Sequence, residues 1–211
     1  MAATAPDLTY DQRLGADWDY AMSEIDRLDR GETDVHRALE AIASRLNDLG
    51  IDYSVVGGMA LFAHGYRRLT TDVDILIDPD SLPKIHAALD GLGYLPLFAG
   101  SKNLKDTVRG VPIEFLLAGG YPGDGKEKPV AFPSPAEASV EINGIRFLSL
   151  EKLVELKLAS AMSNELRAKD LGDVIELIRV RRLAADFGDR LDPFVRDRFV
   201  ELVGKIEADG E

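Results

Sequence analysis

The chain has 211 residues, is 45% hydrophobic and carries 37 acidic against 25 basic residues, a formal charge of -12. That is enough apolar material for one sizeable core. The acidity repels bulk phosphate backbone and argues against a general nucleic-acid coat protein or DNA binder, and the absence of cysteine rules out disulfides and thiolate metal sites.

In chain order, the polar N-terminal stretch places Trp18, Met22, Ile25 and Leu28 at helical spacing, which predicts an amphipathic helix docked by that stripe. This stretch has neither a basic n-region nor an apolar h-region, and no window reaches the ~18 apolar residues of a membrane span, so a cytoplasmic protein is expected. A second helix is predicted over 33–49, with Val35, Leu39, Ile42 and Leu46 on one stripe and Gly50 ending it. DYSVV then reads as a strand running into Gly57 and Gly58, and MALFAHGY reads as a helix. DVDILID, 72–78, alternates as a strand, and Ser81 with Pro83 opens a helix over 81–91. YLPLF is a short strand that Pro96 confines to a sheet edge, and GVPIEFLLA, 110–118, is a clear strand.

Eight of the 18 residues of AGGYPGDGKEKPVAFPSP are Gly or Pro, so 118–135 is a loop, and its length suggests that it covers a site. SVEINGIRF is a hairpin turning on Asn143 and Gly144. The remainder is helical: Ser149 caps one helix over 149–162, a second covers 167–183, and Asp192 with Pro193 opens a third that runs to Ile206. The expected organisation is N-terminal helices over 1–50, a mixed α/β core over 51–148 and a helical region over 149–211.

The chemistry concentrates in GGMALFAHGYRRLTTDVDILI, Gly57 to Ile77. Residues i and i+2 of a strand share a face, so Asp72 and Asp74 project together while Val73, Ile75 and Ile77 line the other side. Two close carboxylates repel unless a cation neutralises them, which is how hard divalent metals are held, Mg²⁺ or Mn²⁺ being the natural candidates. GVPIEFLLA repeats the pattern with Glu114 opposite Ile113 and Phe115, so Glu114 completes a three-carboxylate cluster if the two strands are neighbours. Such a cluster suits nucleotidyl transfer from an NTP. Gly57 and Gly58, where a strand gives way to a helix, leave amides open to a phosphate. Arg67 and Arg68, between the glycines and the strand, can clamp a triphosphate.

The run GG-M-A…R-x-x-T-x-D-V-D-I resembles the DNA polymerase β-like nucleotidyltransferase superfamily. The tail ELKLAS…RAKDLGDVIEL is similar to the helical part of its AbiEii-type, toxin-like branch, and the likeness covers roughly residues 50–180. The resemblance implies an α+β fold with a small mixed sheet flanked by helices and a C-terminal helical region. It implies Gly57 and Gly58 at the nucleotide, Asp72 and Asp74 on metal, and Glu114 as third acid and activator of the acceptor; Thr71, next to Asp72, is a further nucleotide-binding candidate. Lys157 is implied to reach the phosphates, with Asp170 or Asp173 as the acidic partner from the next helix. The acceptor would be a small molecule of the aminoglycoside kind, a protein or a tRNA end, and a toxin of this branch would have an antitoxin-like protein partner. Two departures stand out: Gly58 where many active members have Ser, and Glu114 where Asp is usual. A catalytically inactive nucleotide-binding module is the alternative they leave open.

For a tRNA acceptor, Lys102, Lys105 and Arg109 with Arg179, Arg181 and Arg182 are the candidate basic surface. GYPGDGKE mimics a P-loop but ends in Glu127 and is followed by Lys128-Pro129 instead of a helix, so it reads as a lid or surface loop. His64 reads as a packed histidine, and three scattered histidines give zinc no support.

Overall fold

β-branched and aliphatic residues build the centre of a seven-stranded mixed sheet. The computed structural model describes residues 8–209. The strands are β1 (Tyr53–Val55), β2 (Val73–Ile77), β3 (Tyr94–Pro96), β4 (Leu104–Asp106), β5 (Pro112–Leu117), β6 (Ser139–Ile142) and β7 (Ile145–Leu148), and they lie in the order β3-β4-β5-β2-β1-β7-β6. β2 runs antiparallel to β1 and parallel to β5, with Asp74 opposite Glu114. Val73, Ile75 and Ile77 on β2 and Ile113 and Phe115 on β5 are buried on the other face, so the apolar side of each strand fixes the side on which the acids stand. The sheet is the expected α+β architecture, with β3 at an edge as Pro96 requires.

The helices are α1 (Tyr10–Ala16), α2 (Trp18–Leu28), α3 (Asp34–Asp48), α4 (Gly57–Ala63), α5 (Leu82–Leu89), the single turn α6 (Pro135–Ala138), α7 (Leu150–Ser163), α8 (Ala168–Arg181) and α9 (Pro193–Asp209). Thr33, Ser149 and Thr9 accept first-turn amides at their helix starts, as N-caps do. Asn143 and Gly144 both have positive φ, 53° and 77°, which gives the β6–β7 hairpin its two-residue turn. One apolar cluster runs from Tyr10 through α3, the sheet and α7 to Val203.

Three features differ from the sequence reading. α1 and β4 are additional elements, too short and polar for a periodicity to betray them. The predicted docking face of α2 is turned outward: Trp18 is 76% and Ile25 51% exposed, and Met22 is exposed as well. The helix docks instead through Glu24, fully buried, which accepts from Tyr10 Oη and from the Asp34 amide at 2.8 Å each and pairs with Arg27. A hydrogen-bonded carboxylate outcompetes the apolar stripe here because three donors converge on it. Finally, the candidate basic surface is partly spent, since Arg109 pairs with Asp106 and Arg179 with Glu176. Residues 1–7 of the N-terminal stretch lie outside the described residues.

Candidate active site

β1 ends at Val55, and the Val56 amide donates to the Asp74 carbonyl at 2.9 Å, so the turn into α4 is laid directly over the acidic strand. Gly57 takes φ +59°, and a Cβ there would stand 1.8 Å from Asp74 Oδ2. Only glycine satisfies both conditions. Gly58 is bare for a different reason, since a Cβ would stand 2.6 Å from Thr70 Oγ1. No side chain caps the first turn of α4, so its leading amides keep open donor positions.

Parallel pairing of β2 and β5 in this register puts Asp74 beside Glu114, and Asp72 projects from the same face one pleat earlier. One carboxylate oxygen from each of the three lies within 4.8 Å of the others. Burial, then the charges of Asp72 and Glu114, push the Asp74 carboxyl up to about 7, against the opposing pull of Lys157 and Arg68. Burial and Asp72 likewise raise Glu114, while Lys102 draws it down. Three oxygen-only acids at this separation fit a hard divalent cation, Mg²⁺ or Mn²⁺, and lack the nitrogen or sulfur ligands of zinc or copper.

α7 and α8 form the opposite wall. Lys157, buried on α7, donates to Asp173 Oδ2 at 2.7 Å and Asp170 Oδ1 at 3.0 Å. Arg68 reaches across with a bidentate pair to Asp173, Nε at 2.8 Å and Nη2 at 3.0 Å. Burial alone would raise Asp170, but Lys157, the Ser160 hydroxyl at 2.6 Å and Arg167 hold it below the usual carboxylate range. The chain segment that carries Arg68 is thereby tied to the C-terminal helices.

Between these walls is a cavity of about 460 Å³ that takes in Gly57, Gly58, Arg68, Asp72, Asp74, Glu114, Lys157 and Asp170. Pro122, Gly123 and Phe132 of the 118–135 loop also line it. That loop is pinned by paired backbone bonds between Gly119 or Gly120 and Phe132, and by Lys128 Nζ donating to the Pro122 carbonyl at 2.6 Å. It is one wall of the cavity, with no P-loop geometry.

The sequence-derived candidates divide accordingly. Gly57, Gly58, Arg68, Asp72, Asp74, Glu114 and Lys157 come together in the cavity. Asp173 stands behind it, holding Arg68 and Lys157. Arg67 points elsewhere, pairing with Asp29 at 3.5 Å and lying over the Phe62 ring. Thr71 is absent from the lining, which Thr70 supplies instead, because the chain enters β2 with Asp72 and Thr70 on the cavity side and Thr71 away from it. His64 is buried and bonds the Leu148 carbonyl at 2.7 Å, a packing role. The sequence reading passes over Ser160 and gives Thr70, the threonine of the R-x-x-T-x-D run, no role of its own. The i+3 spacing of Ser160 from Lys157 on one helix could have found the first, and the two-residue step from Asp72 the second.

No family model matches the chain. Among curated proteins it is 36% identical over 63 residues to the bifunctional enzyme IspD/IspF of Granulibacter bethesdensis. The match takes 30% of this chain, which spans only 17% of the length of that relative. Among solved structures, the crystal structure of ANT(2")-Ia in complex with adenylyl-2"-tobramycin superposes with a TM-score of 0.51 at 15% identity, over 77% of this chain and 95% of that one. JHP933 from Helicobacter pylori has a TM-score of 0.45 at 18% identity, over 79% and 76% of the two chains. A nucleotidyltransferase-like protein from Paracoccidioides brasiliensis has a TM-score of 0.43 at 18% identity, over 68% and 74%. What this chain shares with ANT(2")-Ia is the fold: a mixed sheet flanked by helices.

Proposed function

We propose that this protein is a Mg²⁺-dependent nucleotidyltransferase that moves a nucleoside monophosphate from an NTP to an acceptor hydroxyl. The observation that carries the reading is the meeting of Asp72, Asp74 and Glu114 within 4.8 Å, in one cavity with the Gly57–Gly58 turn, Arg68 and Lys157. Asp72, Asp74 and Glu114 would hold the metal, which when bound would neutralise phosphate charge and orient the acceptor oxygen toward the α-phosphorus. The open first-turn amides of α4 face the phosphate chain, and Arg68 and Lys157 offset its charge from the other wall. Glu114 accepts the proton of the acceptor hydroxyl as that oxygen bonds to the α-phosphorus. The bond to the β-phosphate breaks, and pyrophosphate leaves with the electron pair.

The acceptor is a hydroxyl compound: a small molecule, as tobramycin is for the ANT(2")-Ia complex, a protein or an RNA end. The ELKLAS…RAKDLGDVIEL likeness extends the proposal to the AbiEii-type branch and to an antitoxin-like partner.

A thermal-shift titration with each NTP, with and without Mg²⁺, tests the binding half. A ligand at ~100 times its dissociation constant stabilises by about 2.7 kcal/mol, so at least one NTP should raise the midpoint only with Mg²⁺, and Asp72→Asn/Asp74→Asn should lose the shift. A protein that no NTP shifts would contradict the reading.

A further inference from the structure

Two glycines meet at the start of α4, and only one is demanded by the backbone. Gly57 needs its positive φ, whereas Gly58 lies outside that left-handed region. The three nearest atoms that a side chain there would meet all belong to Thr70: a Cβ on Gly58 would stand 2.6 Å from Thr70 Oγ1 and 2.7 Å from Thr70 Cβ. Thr70 is thus packed against a bare Cα in the cavity wall, and from there its hydroxyl donates to Asp72 Oδ1 at 2.9 Å. Among the described residues this is the one side-chain hydrogen bond received by any of the three clustered carboxylates.

We propose that Thr70 is a positioning residue of this cluster: its hydroxyl holds one oxygen of Asp72 and so fixes the rotation at which the other meets Asp74 and Glu114. Gly58 stays without a side chain so that Thr70 can sit close enough to do so. A carboxylate that is free to turn loses rotamer entropy when it binds an ion, and Thr70 removes that cost in advance. The inference rests on the cluster being the metal site of the proposed function.

The experiment is Mn²⁺ binding by the nucleotide-free protein, read by calorimetry, beside the thermal midpoint of each variant in chelator. Thr70→Val keeps the shape and removes the donor. Its Mn²⁺ affinity should fall about 10-fold, the low end for losing a group that orients a ligand. Thr70→Ser should bind nearly as the wild type does. Wild-type affinity in Thr70→Val, or equal loss in Thr70→Ser, would overturn the role of the hydroxyl. Asp72→Asn separates this from the underlying reading: undiminished Mn²⁺ binding there would overturn the metal site itself. The contact has its own arm, since Gly58→Ala should lower the midpoint in the wild-type background and leave it unchanged in Thr70→Gly. An equal drop in both would show that Thr70 is not what keeps residue 58 bare.

Discussion

Asp74 is the residue on which opposing forces are most concentrated. Its carboxyl is raised from the ordinary aspartate value of 3.8 to about 7 by burial and by its acidic neighbours. Below about 4 both folded and unfolded chains are protonated and the group contributes nothing. Between about 4 and 7 the unfolded chain releases a proton that the folded one retains, so without metal stability falls as pH rises through that window and stays low above it. Buried His36 and His64, whose pKa values burial lowers, act in the opposite sense over the same range, so the Asp74 contribution is read as a difference: in chelator, the midpoint of Asp74→Asn minus that of the wild type should rise between pH 4 and 8, and the variant should lose the Mg²⁺-dependent response to NTP. Gly57→Ala should fail more completely, because its Cβ meets Asp74 Oδ2 at 1.8 Å in a backbone conformation that already disfavours it. A Gly57→Ala protein with wild-type midpoint and NTP response would contradict that geometry. Residue identities at this site were legible because glycine, aspartate and strand alternation each carry a steric or electrostatic meaning. That Thr70 and not Thr71 lines the cavity was not legible, because the two are chemically equal and only the backbone entry into β2 separates them.

At the scale of elements, the joint between α7, α8 and the Arg68 segment is a charge network that does not divide equally. Asp173 takes two bonds from Arg68 and one from Lys157, so Asp173→Ala strips Arg68 of its carboxylate and leaves Lys157 with Asp170 alone. Removing one partner of a buried pair costs about 3 to 5 kcal/mol. Lys157→Met leaves Asp173 still held by Arg68 and should cost less. Chemical denaturation of the two variants checks this, and a larger loss for Lys157→Met would overturn the ranking. α2 offers the opposite contrast. Trp18→Ser should change stability by no more than about 0.5 kcal/mol, whereas Glu24→Ala strands the Tyr10 hydroxyl and the Asp34 amide and should cost about 1 to 3 kcal/mol. Helical spacing showed that α2 is a helix and which residues form its stripe. It could not show which face docks, because that was decided by hydrogen bonds to residues 14 and 10 positions away.

For the whole molecule, the strand order decides where chemistry can occur. Asp74 and Glu114 are 40 positions apart in sequence and become neighbours only because β2 and β5 pair in parallel with this register. Alternation within each strand announced an acidic face, while the pairing of those faces, like the closure of the cavity by α7, α8 and the 118–135 loop, depends on long-range packing that no local pattern encodes. The resulting cavity sets a carboxylate floor against a wall bearing Arg68 and Lys157, in a chain whose overall charge is -12. The most direct measurement of what that arrangement does is the identity of the phosphate released when the protein is incubated with Mg²⁺, each NTP and a pool of candidate hydroxyl acceptors. Nucleotidyl transfer predicts pyrophosphate, dependent on the metal and lost in Asp72→Asn/Asp74→Asn. Orthophosphate in its place, or no metal-dependent release from any NTP, would contradict the account.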